Sequence, residues 1–165
     1  SSTYGKGTSL GVTVAYEGLT LGAYGAEREN KNPTAAAQVS DEFNGSWFVN
    51  YNFGPVSVGY SKAYKAVLLS DAIGLTTATT ISDYDQTNMS IAFAASDDLS
   101  VSYERETSEA NRLNDTSTEQ ESASVQVAYT MGGMTLAVAH SSHDNNGYVV
   151  GANTDQTVLA VTMAF

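Results

Sequence analysis

The sequence predicts an all-β chain, a transmembrane antiparallel up-and-down β-barrel contributing about nine strands. Three observations carry this. Large apolar residues alternate with small or polar ones at period two over successive segments of strand length. The centres of these segments are uncharged: 7–16, 18–26, 43–61, 86–96, 99–103, 122–143 and 156–165 contain no Asp, Glu, Lys or Arg, and every charged residue lies between or beside them. The connections alternate short and long, which places the short ones at one end of the sheet and the long ones at the other.

Composition sets the outer bounds. A chain of 165 residues is ordinarily one domain, so 1–165 is read as a single unit. The hydrophobic fraction is 42%, yet no apolar run approaches the ~20 residues of a membrane-spanning helix. Gly, Ser, Thr, Asn, Tyr and Val favour strands and turns. Cysteine is absent, so packing or backbone pairing must hold the fold without disulfides. No signal peptide opens the chain, which fits a mature protein or part of one. The net charge of −11 argues against nucleic acid as a partner, because no basic patch is present to neutralise phosphates. A soluble sandwich would carry charges on the outward face of each strand. An uncharged band with charged ends is what a hydrocarbon layer demands of strands crossing it.

The elements follow in order. From Gly7 to Tyr16, Leu10, Val12, Val14 and Tyr16 share one face, against Gly11, Thr13 and Ala15. Glu17-Gly18 makes a tight turn. Leu19, Leu21 and Ala23 oppose Thr20, Gly22 and Tyr24, with Arg28 further along the polar side. A polar stretch with Pro33, roughly 30–42, reads as a loop. Trp47, Val49 and Tyr51 alternate with Phe48, Asn50 and Asn52. After Phe53-Gly54-Pro55, Val56, Val58 and Tyr60 alternate with Ser57, Gly59 and Ser61. A long connection covers about 65–84, and its stretch Val67-Leu68-Leu69 through Leu75 is apolar enough to be expected against the rim, the lumen or a neighbour.

Met89, Ile91 and Phe93 then alternate with Ser90, Ala92 and Ala94, and Ser96-Asp97-Asp98 turns the chain. Leu99, Val101 and Tyr103 alternate with Ser100, Ser102 and Glu104, with Glu106 next on the polar side. A charged segment, roughly 107–121, reads as another long connection. Val125, Val127 and Tyr129 alternate with Ser124, Gln126 and Ala128, and Gly132-Gly133 turns. Met134, Leu136 and Val138 alternate with Thr135, Ala137 and Ala139, before a last loop at about 144–155. Leu159, Val161, Met163 and Phe165 close the chain against Val158, Ala160, Thr162 and Ala164.

The aromatics cluster by height. Tyr16, Tyr51, Phe93, Tyr129 and Phe165 lie on the apolar face beside a short turn or the terminus, as an interfacial ring would. Tyr60 and Tyr103 occupy matching positions nearer the other end. Strand propensity explains tyrosines in strands but not their common height.

The terminus, Leu159, Val161, Met163 and Phe165 on one face, resembles the C-terminal signal of bacterial outer-membrane barrels. The hairpins GVTVAYEGLTLGAYGAE and SWFVNYNFGPVSVGYSKAY resemble those of Gram-negative trimeric general-diffusion porins, particularly the alphaproteobacterial kind. The resemblance covers nearly the whole chain, through patterns of residue class. It implies an outer-membrane location among lipid and lipopolysaccharide, a homotrimer, and barrel-assembly machinery that reads the last strand. Two features depart from a whole porin: an odd strand number, and a first strand running towards a short turn. Both are explained if the chain holds the last nine of sixteen strands, since such a barrel needs roughly 290 residues. The family's constriction loop is then expected upstream of residue 1.

Function follows from the wall this implies. Tyr24, Arg28, Asn50, Asn52, Ser57, Ser61, Ser90, Ser100, Ser102, Glu104, Glu106, Gln126 and Thr135 are expected to line the pore. Small hydroxyl and amide groups keep water in a lumen without binding solutes tightly. The expected function is passive diffusion of small hydrophilic solutes and ions, with weak cation preference from Glu104 and Glu106. The alternative is a structural or surface-interaction barrel with a plugged lumen, which would need larger interlocking inward groups; a soluble β-protein is a third reading. No enzyme is expected, and no cofactor or metal. His140 and His143, three residues apart, fall on opposite faces of a strand and read as exposed loop-end histidines. The pair Glu104 and Glu106 has the spacing of paired carboxylates, but a solvated wall explains it more simply. Asp144-Asn145-Asn146-Gly147 opens like a calcium loop and lacks the closing glutamate, so a turn is expected. Most acids fall at the long-connection end, where divalent cations would relieve their repulsion.

Overall fold

The computed structural model describes residues 4–30, 41–67 and 80–163. Its nine strands are β1 (Tyr4–Tyr16), β2 (Leu19–Asn30), β3 (Glu42–Phe53), β4 (Val56–Ala66), β5 (Ile81–Ala94), β6 (Leu99–Arg112), β7 (Ser117–Met131), β8 (Met134–Asp144) and β9 (Thr154–Met163). They form one sheet in sequence order, and every neighbouring pair is antiparallel. The sheet is open: β1 and β9 are its edges and do not pair with each other.

The short turns fall where the sequence places them, for local reasons. Glu17 and Gly18 both take positive φ, 43° and 84°, the requirement of a two-residue turn whose twist matches its strands. Gly54 and Gly132 supply the left-handed residue at two further turns. At the β5–β6 turn, Ser96 Oγ accepts from the backbone N–H of Asp98 and Leu99.

The other end departs from the expectation. Residues 107–121 are not a long loop. β6 continues to Arg112, β7 begins at Ser117, and only Leu113 to Thr116 connect them. Charge marks the end of an uncharged band, not the end of a strand. Beyond the band the ladder is carried by polar cross-strand pairs: Arg105 with Glu121, the Arg112 guanidinium donating to Thr118 Oγ1 at 2.8 Å, and the Asn111 amide donating to Asp83 at 2.7 Å. Asp115, at φ 60°, makes the turn. Residues 31–40 and 68–79 lie outside the described residues, and with them most of the expected loops at 30–42 and 65–84 and the apolar stretch 68–75.

Register fixes the faces, because directly paired residues project to the same side. One face carries the large apolar set, and these side chains are exposed: Leu21 45%, Trp47 46%, Ile91 47%, Val127 39%, Val161 53%. The other carries the small and polar set. Among the described residues only Gly22, Ser108 and Ala110 are buried. The described residues therefore form no buried core. The described strands are a single layer whose apolar face is exposed and whose polar face is covered only where the connection after β8 crosses it.

The register is also staggered. From Tyr16 the line of direct partners runs through Leu19, Tyr51, Val58, Ile91, Tyr103, Val125, His140 and Thr157. Tyr16 abuts its turn; Tyr51, Ile91 and Val125 stop progressively further from theirs. The slide is about two residues per hairpin, or about one per strand. With ~3.3 Å rise and ~4.8 Å strand spacing, that tilts the strands by about 35° from the normal to the line joining the turns.

Candidate functional site

The polar face is where chemistry can occur, and register places all thirteen residues expected there on it. Tyr24 pairs with Ser46, Arg28 with Glu42, and Asn52 with Ser57. Phe48 pairs with Ser61 and Asn50 with Gly59, which pairs onward with Ser90. Ser90 pairs with Glu104 and Asn88 with Glu106. Ser102 pairs with Gln126 and Ser100 with Ala128, and Thr130 pairs with Thr135. Phe48 is the large exception. Its ring lies against Gly22, where a Cβ would collide with it.

The two glutamates sit among partners that the sequence reading did not assemble. Glu104 accepts from the Asn88 amide at 2.6 Å. Beside it, Ser122 Oγ and His143 Nδ1 are 2.8 Å apart, and Ser141 donates to Ser124 at 3.0 Å. Glu104, Glu106, Ser122, Ser124, Ser141 and His143 line a shallow hollow of about 320 Å3. Period two extended to residues 122 and 141–143 would have found the serines and the histidine. His140 and His143 are both within β8, His143 one residue from its end at Asp144. They do lie on opposite faces: His140 meets Thr157 at 3.0 Å on the apolar face, while His143 joins Ser122.

The connection after β8 folds inwards across the polar face. A 3-10 turn, Asn146–Tyr148, carries Tyr148 over β6 and β5. Its hydroxyl meets Ser108 Oγ at 2.7 Å, and its ring centroid lies 5.3 Å from that of Tyr84. That cover accounts for the burial of Ser108 and Ala110. Asn145 pins the loop, donating to the Glu119 carbonyl at 2.9 Å and accepting from the Gly151 N–H at 2.9 Å. The Gly147 N–H donates to Gln120 Oε1 at 2.7 Å. Tyr84 lies beyond the uncharged band, and burial, then Tyr148, push its phenol above the ordinary value of 10.0.

The apolar face holds the expected aromatics Tyr16, Tyr51, Tyr60, Phe93, Tyr103 and Tyr129, with Trp47 and Tyr60 5.5 Å apart. Leu159, Val161 and Met163 share that face on β9; Phe165 lies outside the described residues. At the long-connection end of this face Asp85, Glu109 and Glu119 are direct neighbours, and Asp83 and Asp85 share the Asn111 amide. Among the described residues no group of three or more acids or histidines is arranged to hold a metal ion. Tyr64, beside these acids, has its phenol raised by burial and then by Asp83 and Asp85. The sequence 144–147 forms a turn closed on asparagine side chains.

Comparison with protein-family models, curated proteins and solved structures found no match to this chain.

Proposed function

We propose that the chain is part of an outer-membrane β-barrel channel of general-diffusion porin type, passing small hydrophilic solutes and ions by passive diffusion. The observation that carries this reading is the single uncovered layer. A water-soluble sheet buries its apolar face beneath a second layer, and patches of this size are not left in water. Here strands of 10 to 15 residues carry an exposed apolar band along one face, with the charges of that face gathered towards the long-connection end. Nothing in the described chain covers it. Hydrocarbon on that side and water on the other satisfy both faces.

Closure is part of the proposal. Open edges at β1 and β9 are not viable in a bilayer, where every backbone group needs a partner. The stagger of about one residue per strand matches the ~35–45° tilt of closed barrels. We place these nine strands in a sixteen-strand wall, wide enough for an aqueous lumen. In it the hydroxyls, amides and carboxylates of the polar face line water, and no catalytic grouping is invoked. Trimers, lipopolysaccharide contact and recognition of β9 by assembly machinery belong to the same reading.

The test is conductance. The full-length protein, purified in detergent and added to a planar bilayer, is expected to open stepwise ohmic channels and to make vesicles permeable to small sugars. Stable insertion without conductance would favour a plugged structural barrel. Failure to insert, with monomeric solubility in the absence of detergent, would favour a soluble sheet.

A further inference from the structure

The corner where the last loop crosses the polar face is built more elaborately than a solvated turn requires. Tyr148 holds φ at 60°, a left-handed conformation that is strained for a bulky residue and persists only where the surroundings impose it. The surroundings do impose it, through the Asn145, Gln120 and Ser108 bonds described above. Their joint result is that one tyrosine ring stands over β5 and β6, bonded to Ser108 and packed against Tyr84.

Tyr148 borders a cleft of about 530 Å3, within the size range of small-molecule sites. The floor is made by small residues, Ser46 and Ala63, paired directly between Tyr24 and Gln86. Tyr24 forms one wall and is 49% exposed. Gln86, Tyr84 and Tyr148 form the other, roughly 14 Å away across three strand spacings. Asn44 and Lys65 close the outer side, directly paired with each other and with Tyr84 next in line. The cleft thus offers aromatic side chains from two sides, amides that both donate and accept, and one ammonium. Glu42 is close enough to accept from the Asn44 amide at 3.2 Å, so no single sign of charge dominates.

We infer that this cleft is a saccharide subsite at the outer mouth, taking a neutral saccharide of two or more pyranose rings that reaches from Tyr24 to Tyr148. A pyranose has apolar C–H faces that rest on aromatic rings and a rim of hydroxyls that amides recognise. An anion would find one lysine against nearby Glu42, and a cation only a neutral floor. Weak, millimolar binding suits a pore, since a solute held tightly would not leave. The inference rests on the channel reading for the wet state of this face.

The test is saturation-transfer NMR on the full-length protein in detergent, with maltose as the probe and acyclic mannitol as the comparison. Ring protons of maltose are expected to receive saturation, and mannitol little. Binding should weaken about tenfold or vanish in Tyr148→Ala and in Tyr24→Ala. It should persist in Tyr148→Phe and in Val150→Ala. The Tyr24 variant lies outside the loop, so it tests the site even if Tyr148→Ala disorders the loop. No transfer to maltose, equal transfer to mannitol, or undiminished binding in both alanine variants would overturn the site. Conductance without sugar judges the channel separately: a conducting protein that ignores maltose retains the channel and loses the subsite, whereas one that binds maltose but never conducts does the reverse.

Discussion

Arg105 and Glu121 form a two-pronged ion pair on the apolar face, Nη2 to Oε2 at 2.6 Å and Nε to Oε1 at 2.9 Å. It stands just past Tyr103 and Val125, the direct pair between β6 and β7 after which charges first appear on the way to the long-connection end. Hydrogen bonding to Glu121 raises the Arg105 pKa further. Both side chains are partly exposed, 41% and 33%, so solvent and salt screen the pair. Removing either partner should lower stability only slightly, and less at high salt. Moving a charge inwards is different. Val127→Arg places it in the middle of the uncharged face and should cost about 2–4 kcal/mol of folding into lipid vesicles. Denaturant titration in vesicles measures this. An effect of Val127→Arg no larger than that of Arg105→Ala would contradict a lipid-facing band.

Glu104 and Glu106 should give the wall a weak cation preference, because like-signed carboxylates along a water-filled surface lower the energy of a passing cation. Reversal potentials across a salt gradient should shift towards zero in Glu104→Gln plus Glu106→Gln. The preference should fade as the screening length drops to about 3 Å at 1 M salt. Unchanged selectivity in the double variant would remove both residues from the mechanism.

Gly22 and Phe48 should behave as a coupled pair. Gly22→Val drives side-chain atoms into the Phe48 ring and should cost about 1–3 kcal/mol. In the background of Phe48→Ala the same change should cost little, which a double-mutant cycle by denaturant titration reads directly. Additive effects would mean that the ring does not lie against Gly22.

Tyr84 makes a pH prediction. Its folded pKa is raised, so its contribution is complete below the unfolded value near 10 and is lost as pH rises through the higher folded value. The Tyr148 loop should therefore stay docked through pH 10 and loosen above it. Phenolate absorbance compared between the parent and Tyr84→Phe should show one tyrosine titrating late. A Tyr84 that ionises with the exposed tyrosines would place it in open water.

Much of the sheet was legible because side-chain alternation has a fixed period of two. Leu99, Val101 and Tyr103 against Ser100, Ser102 and Glu104 need no tertiary information to be sorted onto faces. Strand ends were not legible at the long-connection end, where the apolar signal stops although the ladder continues: Thr107, Glu109 and Asn111 read as loop and are strand. The Asn114-Asp115 pair was an available turn signal inside 107–121. Tyr148 was illegible for another reason. Its position depends on bonds from Asn145, Gln120 and Ser108, residues up to 40 apart in sequence, and no local pattern encodes them.

The central claim is that adjacent residues of one strand meet hydrocarbon and water in turn, and β7 tests it most directly. The chain has no cysteine, so Val125→Cys, Gln126→Cys, Val127→Cys and Ala128→Cys each give a single thiol. In the reconstituted full-length protein, a charged membrane-impermeant thiol reagent should modify positions 126 and 128 quickly and leave 125 and 127 almost unreacted. A fluorophore at 125 or 127 should be quenched by a lipid-borne quencher, and one at 126 or 128 by aqueous iodide. Equal reactivity at all four positions, or fast aqueous reaction at 125 and 127, would contradict the account.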